Sequence, residues 1–325
     1  MNDLEVKNIL VSGASGIVGY GILSSLKISG KPLHLIGSTI YEDSVAQGFC
    51  DVFEKAPLTN DDQYISWLLN MIEKHSIDMV IPGIEADMYK WSDHSSEIKK
   101  TGALALLNNV QLISLCKDKW LFYENLKIHN STCIIESSLI TDFDTLVTKF
   151  GLPFLLKPRR GFASKGIVKV DNLEIFLTHQ PNIGPVLMAQ RIVGNEDQEY
   201  TTSAFCDGIG NFNAIMTLNR KLSKDGFTEK AEVVELSGIN DIVKDLCALY
   251  KPFGPTNFQF RKDENVFKLL EINPRISSST SIRTAFGYNE SLMAVEYFLE
   301  KQVPVQPVIK AGRAVRYVND MIFYL

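Results

Sequence analysis

One short run of the sequence, LEINPR at residues 270–275, places a carboxylate, an amide oxygen and a guanidinium at alternating positions. In a β-strand, Glu271 and Asn273 would share one face, and Leu270 and Ile272 would face a core. The arginine would follow on the polar side if the strand continues. Because Mg²⁺ takes oxygen ligands and arginine recognises phosphate, the run predicts a site for ATP and a divalent metal ion. A solvated strand face that ends at an Asn-Pro turn is the alternative.

A second predicted strand precedes this run. Residues 257–261 alternate polar and aromatic side chains, residues 262–265 are typical of a turn, and residues 266–270 lead into the first run. The two strands form a predicted hairpin. Gln259 can share a face with Glu271 only if the connection holds an odd number of residues or a bulge. Gln259 is then a third candidate oxygen ligand.

These residues resemble the metal-binding strands of the ATP-grasp enzymes, particularly the branch that includes the large chain of carbamoyl-phosphate synthase. In that family the corresponding side chains hold one or two Mg²⁺ ions that bridge ATP phosphates, and an arginine lies beside the transferred phosphoryl group. The resemblance implies a site for Mg²⁺ (or Mn²⁺) at Gln259, Glu271 and Asn273, with Arg275 as a catalytic residue. It spans almost the whole chain and is strongest from residue 152 to residue 283.

A cationic segment at residues 154–167, FLLKPRRGFASKGI, combines an apolar strand with a Gly-flanked loop. A lysine at a strand end gives a fixed charge for a phosphate, and such a loop can fold N–H groups and cations over phosphates. A surface turn with scattered charges is the alternative. The segment resembles the phosphate-covering loop of the family, which implies phosphate contacts from Lys157 (also a catalytic candidate), Arg160, Ser164, Lys165 and Gly166. Lys119 resembles the cation of the family that reaches the α-phosphate. A solvated charge on a helix is the alternative for Lys119.

The strand at residues 185–194 resembles the family's hinge between lobes, where backbone groups bind adenine and acidic side chains bind ribose. The implied nucleotide contacts are Gln190, Arg191, Ile192, Val193 and the acid Glu199. Many family members carry an acid at the position of Gln190, and this chain departs from that pattern. Ordinary strand polarity is therefore an equal alternative for Gln190 and Glu199.

The composition is ordinary for a globular enzyme. The chain has 325 residues, of which 45% are hydrophobic and 22% charged, and its net charge is -5. This charge gives no reason to expect nucleic acid or a membrane as a partner. Five scattered cysteines argue for a reducing compartment and against structural zinc. Because neither a signal peptide nor a membrane-spanning run is evident, we expect a cytoplasmic protein.

The N-terminal segment supports a competing interpretation. VSGASGIVG at residues 11–19 follows an apolar strand and precedes a helical pattern, as in dinucleotide-binding turns. Alone it would indicate a nicotinamide-dependent reductase of the short-chain type that uses Gly13, Gly16 and Gly19. ATP-grasp enzymes, however, commonly begin with a Rossmann-like domain whose Gly-rich turn holds no nicotinamide.

The first hundred residues alternate strand and helix patterns, as expected for a doubly wound sheet. We therefore expect an α/β protein: a Rossmann-like domain at residues 1–113, then a two-lobed α+β ATP-grasp domain. Its small lobe would span residues 114–190 and its large lobe residues 191–325. Glu85 and Asp87 follow a predicted strand. They could contact the substrate, but we prefer the interpretation that they are acids at the N-terminus of a helix.

The resemblance implies an ATP-dependent ligase. The γ-phosphoryl group would move to a substrate carboxylate, giving an acyl phosphate and ADP, and an amine or similar nucleophile would then displace phosphate. We expect small-molecule carboxylate and amine substrates and a C–N bond rather than a C–S or C–O bond, and a homodimer is left open. Arg283 is a candidate clamp for the carboxylate, or a helix-surface arginine. The alternatives are the reductase and a non-catalytic ATP-binding protein, against which the intact metal triad argues.

Overall fold

The structure, a computed structural model, describes residues 6–161 and 165–324, which form three β-sheets with helices packed against them. Ser164, a predicted phosphate contact, lies outside the described residues. No helix in the described part of the chain is long and apolar enough to cross a membrane. The domain bounds near residues 113 and 190 stay a prediction.

Residues 7–105 contain a parallel sheet of five strands in the order β3-β2-β1-β4-β5. The strands are β1 (Lys7–Val11), β2 (Leu33–Thr39), β3 (Val52–Lys55), β4 (Met79–Ile81) and β5 (Leu104–Ala105). The helices are α1 (Ile17–Ile28), α2 (Tyr64–Lys74), α3 (Glu85–Asp93) and α4 (Ser95–Lys100), and a short 3-10 helix spans Val45–Gly48. Apolar residues of β1 alternate between a core shared with α1 and a core shared with α2 to α4, so both faces of the sheet are covered. The doubly wound sheet predicted from the sequence is confirmed.

The Gly-rich turn between β1 and α1 is shaped by close packing. Gly13 has a φ of +57°, a conformation that favours glycine. A methyl group on Gly19 would lie 2.3 Å from the Gly13 carbonyl oxygen, and one on Gly83 would lie 2.1 Å from the Ser12 carbonyl oxygen. The glycines therefore allow α1 to pack against β1 and β4, and a bound dinucleotide is not needed to explain them.

A smaller antiparallel sheet has the order β6-β9-β7-β8. Its strands are β6 (Ser137–Ser138), β7 (Phe154–Pro158), β8 (Val168–Val170) and β9 (Leu187–Gln190). The helices α5 (Val110–Cys116) and α6 (Lys119–Ile128) precede it, and α7 (Phe143–Phe150), α8 (Leu173–His179) and a 3-10 helix (Gln180–Asn182) are inserted between its strands. Phe154 and Phe176 are fully buried in its core.

The third sheet has six antiparallel strands in the order β14-β13-β10-β11-β12-β15. The strands are β10 (Glu199–Asp207), β11 (Phe212–Leu222), β12 (Thr228–Val234), β13 (Phe253–Asp263), β14 (Val266–Asn273) and β15 (Arg313–Val315). The helices are α9 (Ser237–Tyr250), α10 (Thr280–Ala285) and α11 (Glu290–Glu300), and a 3-10 helix spans Glu196–Gln198. One face packs on α5, α6 and α9, and the other packs on α11, which also contacts α1. The core of the parallel sheet thus continues into the largest sheet.

The hairpin of β13 and β14 closes through a tighter turn than residues 262–265, since Asp263 pairs with Val266. A bulge then shifts the register, so that Gln259 lies opposite Glu271 and Leu270 has no partner on β13. The bulge, not an odd-numbered loop, brings Gln259 to the face of Glu271. The prediction that Leu270 faces the core is wrong: it is half-buried, and Leu269 takes its place beside Ile272.

We expect Gly19→Ala to destabilise the protein by about 1–3 kcal/mol, because the added methyl group overlaps backbone atoms that cannot move aside. Chemical denaturation monitored by circular dichroism measures this change. Gly238→Ala in α9 is the matched helical control, since its methyl group would meet only the Phe267 ring, at 3.3 Å. Equal stability of the Gly19 variant and the wild type would contradict the packing role of the turn.

Candidate active site

A cavity of about 790 Å³ lies between the two antiparallel sheets and reaches the parallel-sheet domain. Its size is in the usual range for small-molecule sites. The predicted site residues that line it are Lys119, Lys157, Arg160, Lys165, Gln190, Arg191, Ile192, Val193, Glu199, Gln259, Glu271, Asn273 and Arg275. Two others, Gly166 and Arg283, are not part of its lining. The structure thus brings most of the set together, and the roles of its members stay predictions.

The small sheet contributes the polar Lys157 and Gln190 and the apolar Leu155, Pro158 and Met188 to the cavity. Leu155 lies opposite Gln190, and Lys157 lies opposite Met188, in the pairing of β7 with β9. All four line the cavity, because residues two apart on a strand share a face. Lys157 Nζ donates a hydrogen bond to Gln190 Oε1 at 3.0 Å, across the diagonal of this group. An apolar surface with one polar edge results.

The candidate metal ligands lie on the facing edge of the large sheet. Asn273 Nδ2 donates to Glu271 Oε1 at 3.1 Å. Burial alone would raise the pKa of Glu271, but the Lys119 charge, the Asn273 hydrogen bond and the charges of Lys157 and Arg275 together lower it. Glu271 is therefore an ionised acceptor at neutral pH.

These ligands suit a hard divalent ion. Within residues 6–161 and 165–324, no group of three or more histidine, cysteine, aspartate or glutamate side chains could hold a metal. An ion at Glu271 would therefore depend on the amide oxygens of Gln259 and Asn273 and on phosphate oxygens. Mg²⁺ is typically held by one or two carboxylates together with substrate phosphates, so this oxygen donor set fits it.

Arg220, a buried residue of β11, was not among the site residues predicted from the sequence. Its Nε and Nη2 donate to Glu199 Oε1 at 3.2 and 3.0 Å, and Nη2 also donates to Gln259 Oε1 at 2.6 Å. Arg261 binds the other oxygen of Glu199, with Nη2 at 2.9 Å. Glu199 is thus held between two guanidinium groups, and Arg220 orients one candidate metal ligand. Arg220 lies two and four residues after the buried Leu218 and Met216, and this alternation was the signal in the sequence that Arg220 shares their buried strand face.

The environment of Arg283 differs from both roles that the sequence suggested. Its side chain is fully buried, and Nη1 donates to Glu290 Oε1 at 3.0 Å and to Ser277 Oγ at 2.8 Å. Nη2 donates to Thr201 Oγ1 at 3.0 Å and to Asn257 Oδ1 at 2.7 Å. The residue is neither a surface arginine nor part of the cavity lining, and its carboxylate partner belongs to the chain itself. The geometry therefore assigns Arg283 to the internal structure and does not support a substrate clamp.

Arg275 links the large sheet to the parallel-sheet domain. Its Nη2 lies 2.5 Å from Glu85 Oε1, and Nη1 donates to the Ile276 carbonyl oxygen at 3.1 Å. Glu85 begins α3 and lines the cavity. Asp87 is buried instead, and accepts a hydrogen bond from Thr59 Oγ1 at 2.6 Å. Of the two acids after β4, only Glu85 lines the cavity.

The remaining cations differ in how firmly they are held. Lys119, at the start of α6, donates to the Gly161 carbonyl oxygen at 2.7 Å. Arg160 is mostly exposed, with 71% of its side-chain surface accessible, although its Nε lies 3.5 Å from Asp118. Gly166 is also exposed. Lys119 is therefore fixed beside the cavity, whereas Arg160 extends towards solvent.

Comparisons with known proteins agree with this architecture. A family model described as ATP-grasp in the biosynthetic pathway with Ter operon matches residues 195–321. N5-carboxyaminoimidazole synthetase from Staphylococcus aureus, complexed with ADP, superposes with a TM-score of 0.74 at 16% identity, over 95% of this chain and 82% of that one. The chain has the ATP-grasp fold. Both the resemblance and the fold class predicted from the sequence are confirmed.

Two further solved structures share the ATP-grasp fold. Biotin carboxylase from Campylobacter jejuni has a TM-score of 0.74 at 16% identity, and the alignment covers 96% of this chain and 75% of that chain. The biotin carboxylase domain of 2-oxoglutarate carboxylase from Hydrogenobacter thermophilus has a TM-score of 0.70 at 15% identity, over 94% and 73% of the two chains. The comparison with curated proteins found no match to this chain. The short-chain reductase alternative is not favoured.

Nucleotide affinity is expected to depend on pH through Lys157. Burial lowers the pKa of Lys157 from its ordinary 10.5 to about 8; Glu271 opposes this shift, whereas Lys119 and Arg261 add to it. Phosphate oxygens favour the charged ammonium, so the complex would keep the proton to higher pH. Affinity for MgADP should therefore fall above about pH 8, by at most about tenfold per pH unit.

Isothermal titration calorimetry between about pH 7 and about pH 9.5 measures this fall in MgADP affinity. Lys157→Arg is the control variant, since a guanidinium keeps its charge throughout this range. The same decline in both proteins would show that another group is responsible.

We expect Glu271→Gln to reduce the effect of Mg²⁺ on ADP affinity by about tenfold or more, because the substitution removes the carboxylate from the donor set but keeps the side-chain shape. ADP affinity is measured with Mg²⁺ and with excess chelator. Glu97→Gln, at an exposed position of α4, is the control. An unchanged Mg²⁺ effect in a folded Glu271→Gln protein would rule out this ligand.

Proposed function

We propose that this protein is an ATP-dependent ligase that converts a small-molecule carboxylate to an acyl phosphate and transfers the acyl group to an amine. The main support is the arrangement of three cations, Lys119, Lys157 and Arg275, around the ionised Glu271 in one cavity. Phosphoryl transfer is catalysed mainly by positioning and by charge stabilisation, and this arrangement supplies both.

In the proposed reaction, a carboxylate oxygen of the substrate attacks the γ-phosphorus of ATP. The bond from that phosphorus to the β–γ bridging oxygen breaks, and ADP leaves. The amine then attacks the acyl carbon, phosphate leaves with the electrons of its bond to that carbon, and the amine loses a proton. No side chain of the protein has to become covalently attached in either step.

The residues of the chain would act through charge and position. Lys119 and Lys157 would hold ATP phosphates, and Arg275 would stabilise the charge on the phosphoryl group during transfer. Gln259, Glu271 and Asn273 would hold Mg²⁺, which would neutralise phosphate charge. Arg220 would keep the Gln259 oxygen in place, since it donates to that oxygen at 2.6 Å.

The carboxylate substrate would lie near Arg275, where the cavity meets the parallel-sheet domain. Residues 16–18 and 83–86 of that domain line the cavity, as does Arg275, so the parallel-sheet domain would complete the acceptor site. The names of the compared enzymes support small-molecule substrates. We also propose a homodimer, since the compared 2-oxoglutarate carboxylase domain is a dimer. We also propose domain bounds near residues 113 and 190.

The product of ATP cleavage tests the reaction class. With a panel of small carboxylates and hydroxylamine as the nucleophile, the protein should release ADP and phosphate and form a hydroxamate. Arg275→Met should lower the rate by about 100-fold or more, because it removes charge stabilisation from the transferred group. AMP and pyrophosphate as the stoichiometric products would overturn the acyl-phosphate mechanism.

A further inference from the structure

The parallel-sheet domain forms a mainly apolar part of the cavity wall. Of its described residues, 16–18 and 83–86 line the cavity together with Met88 and Tyr89, and none of these is a lysine, arginine or histidine. The one acid among them, Glu85, is bonded to Arg275. This domain therefore offers a ligand mostly hydrocarbon surface and one ion pair.

Ile84 stands where a polar residue is usual. It is the N-cap of α3, and its side chain makes no capping hydrogen bond. Serine, threonine, asparagine and aspartate are preferred at this position, because their oxygen atoms accept from N–H groups of the first turn. Ile84 is also 40% exposed, so core packing accounts for only part of its surface. Its remaining apolar surface is available to a ligand in the cavity.

Ile84 lies between the Gly-rich turn and the candidate catalytic arginine. Its Cγ2 atom would be 2.6 Å from a methyl group on Gly13, so the side chain covers the turn that leads into residues 17 and 18. Glu85 Oε1, on the next residue, lies 2.5 Å from Arg275 Nη2. A substrate carboxylate held at Arg275 would therefore place the rest of its molecule near Ile84 and the start of α1.

Phe227 adds an aromatic side chain to the cavity from the start of β12. Two residues further on, the Glu229 carbonyl oxygen accepts from the Arg316 N–H at 2.8 Å. The Arg316 side chain donates to the Ser278 carbonyl oxygen and to the hydroxyl of Tyr20, in the first turn of α1. Phe227 and Ser278 both line the cavity. The beginning of β12, the connection after β14 and the start of α1 thus meet around Arg316.

We propose that the carboxylate substrate is a monocarboxylic acid with an apolar body, which lies against Ile84, residues 17 and 18, and Phe227. The proposal rests on the proposed function, because it takes Arg275 to bind the carboxylate that is activated. Covering these half-exposed apolar side chains is favourable in proportion to the area removed from water. A second anionic group would instead meet Glu85 and no cation of this domain, and would lose hydration without gaining a partner.

The test compares hexanoate with adipate, which has the same chain length and a second carboxylate that is ionised at neutral pH. Isothermal titration calorimetry measures their binding to the protein saturated with MgADP. Hexanoate should bind at least about tenfold more tightly than adipate, since a hydrophobic pocket discriminates by about this factor for even one methylene group. Binding of adipate as tight as that of hexanoate, or no binding of hexanoate, would overturn the proposal.

Ile84→Asn tests the apolar wall without loss of the fold. Asparagine can cap α3, so the melting temperature should not fall, whereas hexanoate affinity should fall by about tenfold because a polar group enters the pocket. Ile128→Asn, at a mostly exposed position of α6 outside the cavity lining, is the matched control. Unchanged hexanoate affinity in a folded Ile84→Asn protein, or an equal loss in both variants, would show that Ile84 does not contact the substrate.

Failure of the proposed function would look different. Both acids are also incubated with ATP, Mg²⁺ and hydroxylamine, and ADP and hydroxamate are measured. If hexanoate binds preferentially but neither acid gives these products, the ligase reaction is wrong and the apolar pocket stands. If adipate gives hydroxamate at least as fast as hexanoate, the ligase reaction stands and the apolar substrate class is wrong.

A gain of binding tests the charge argument separately. Ala86 is exposed, lies in the first turn of α3 and lines the cavity, so Ala86→Lys adds a cation to a wall that has none. Adipate affinity should rise by about fivefold or more, and hexanoate affinity should change by less than about twofold. Ser96→Lys, at an exposed position of α4 outside the lining, adds the same net charge as a control. No gain for adipate, or an equal gain in both variants, would refute the placement of the substrate beside α3.

Discussion

The pairing of β13 with β14 determines which side chains can reach the cavity. It places Gln259 opposite Glu271, and the bulge at Leu270 keeps Asn273 on that face while Ile272 stays in the core. A slip of one residue would turn Glu271 towards the apolar core and Ile272 towards the polar face of the strand. Burying a carboxylate without a partner is costly, so the core and the polar site favour the same register.

The buried ion pair of Arg283 with Glu290 holds the surroundings of this hairpin. It ties α10 and α11 to β10 and β13 through Thr201 and Asn257. A buried pair contributes little net stability by itself, but loss of one partner costs about 3–5 kcal/mol because the other charge is left unpaired. The pair therefore fixes one arrangement of α10 and α11. Because Arg283 also donates to Ser277 Oγ, it holds the connection after β14 that carries Arg275.

The sequence predicts the site where the pattern is local and fails where partners are distant. Alternation along one strand and the proline that follows it are enough to group Glu271 with Asn273 on one face. The bulge could not be located, because two adjacent leucines compete for one core position and hydrophobicity does not distinguish Leu269 from Leu270. The partners of Arg283 were equally hidden, since Thr201 lies 82 residues away and is brought near only by the completed sheet.

Charge explains why the cavity is better suited to binding an anion than to stabilising the fold. Glu199 is shared by two guanidinium groups, while Glu271 is surrounded by Lys119, Lys157 and Arg275. Like charges repel more strongly in a partly buried site than in water, so such an excess of cations opposes folding. Burial is the main cause of the lowered pKa of Lys157, and the charges of Lys119 and Arg261 add to it. Phosphate oxygens would reverse it, and the same cations that weaken the fold would then supply binding energy.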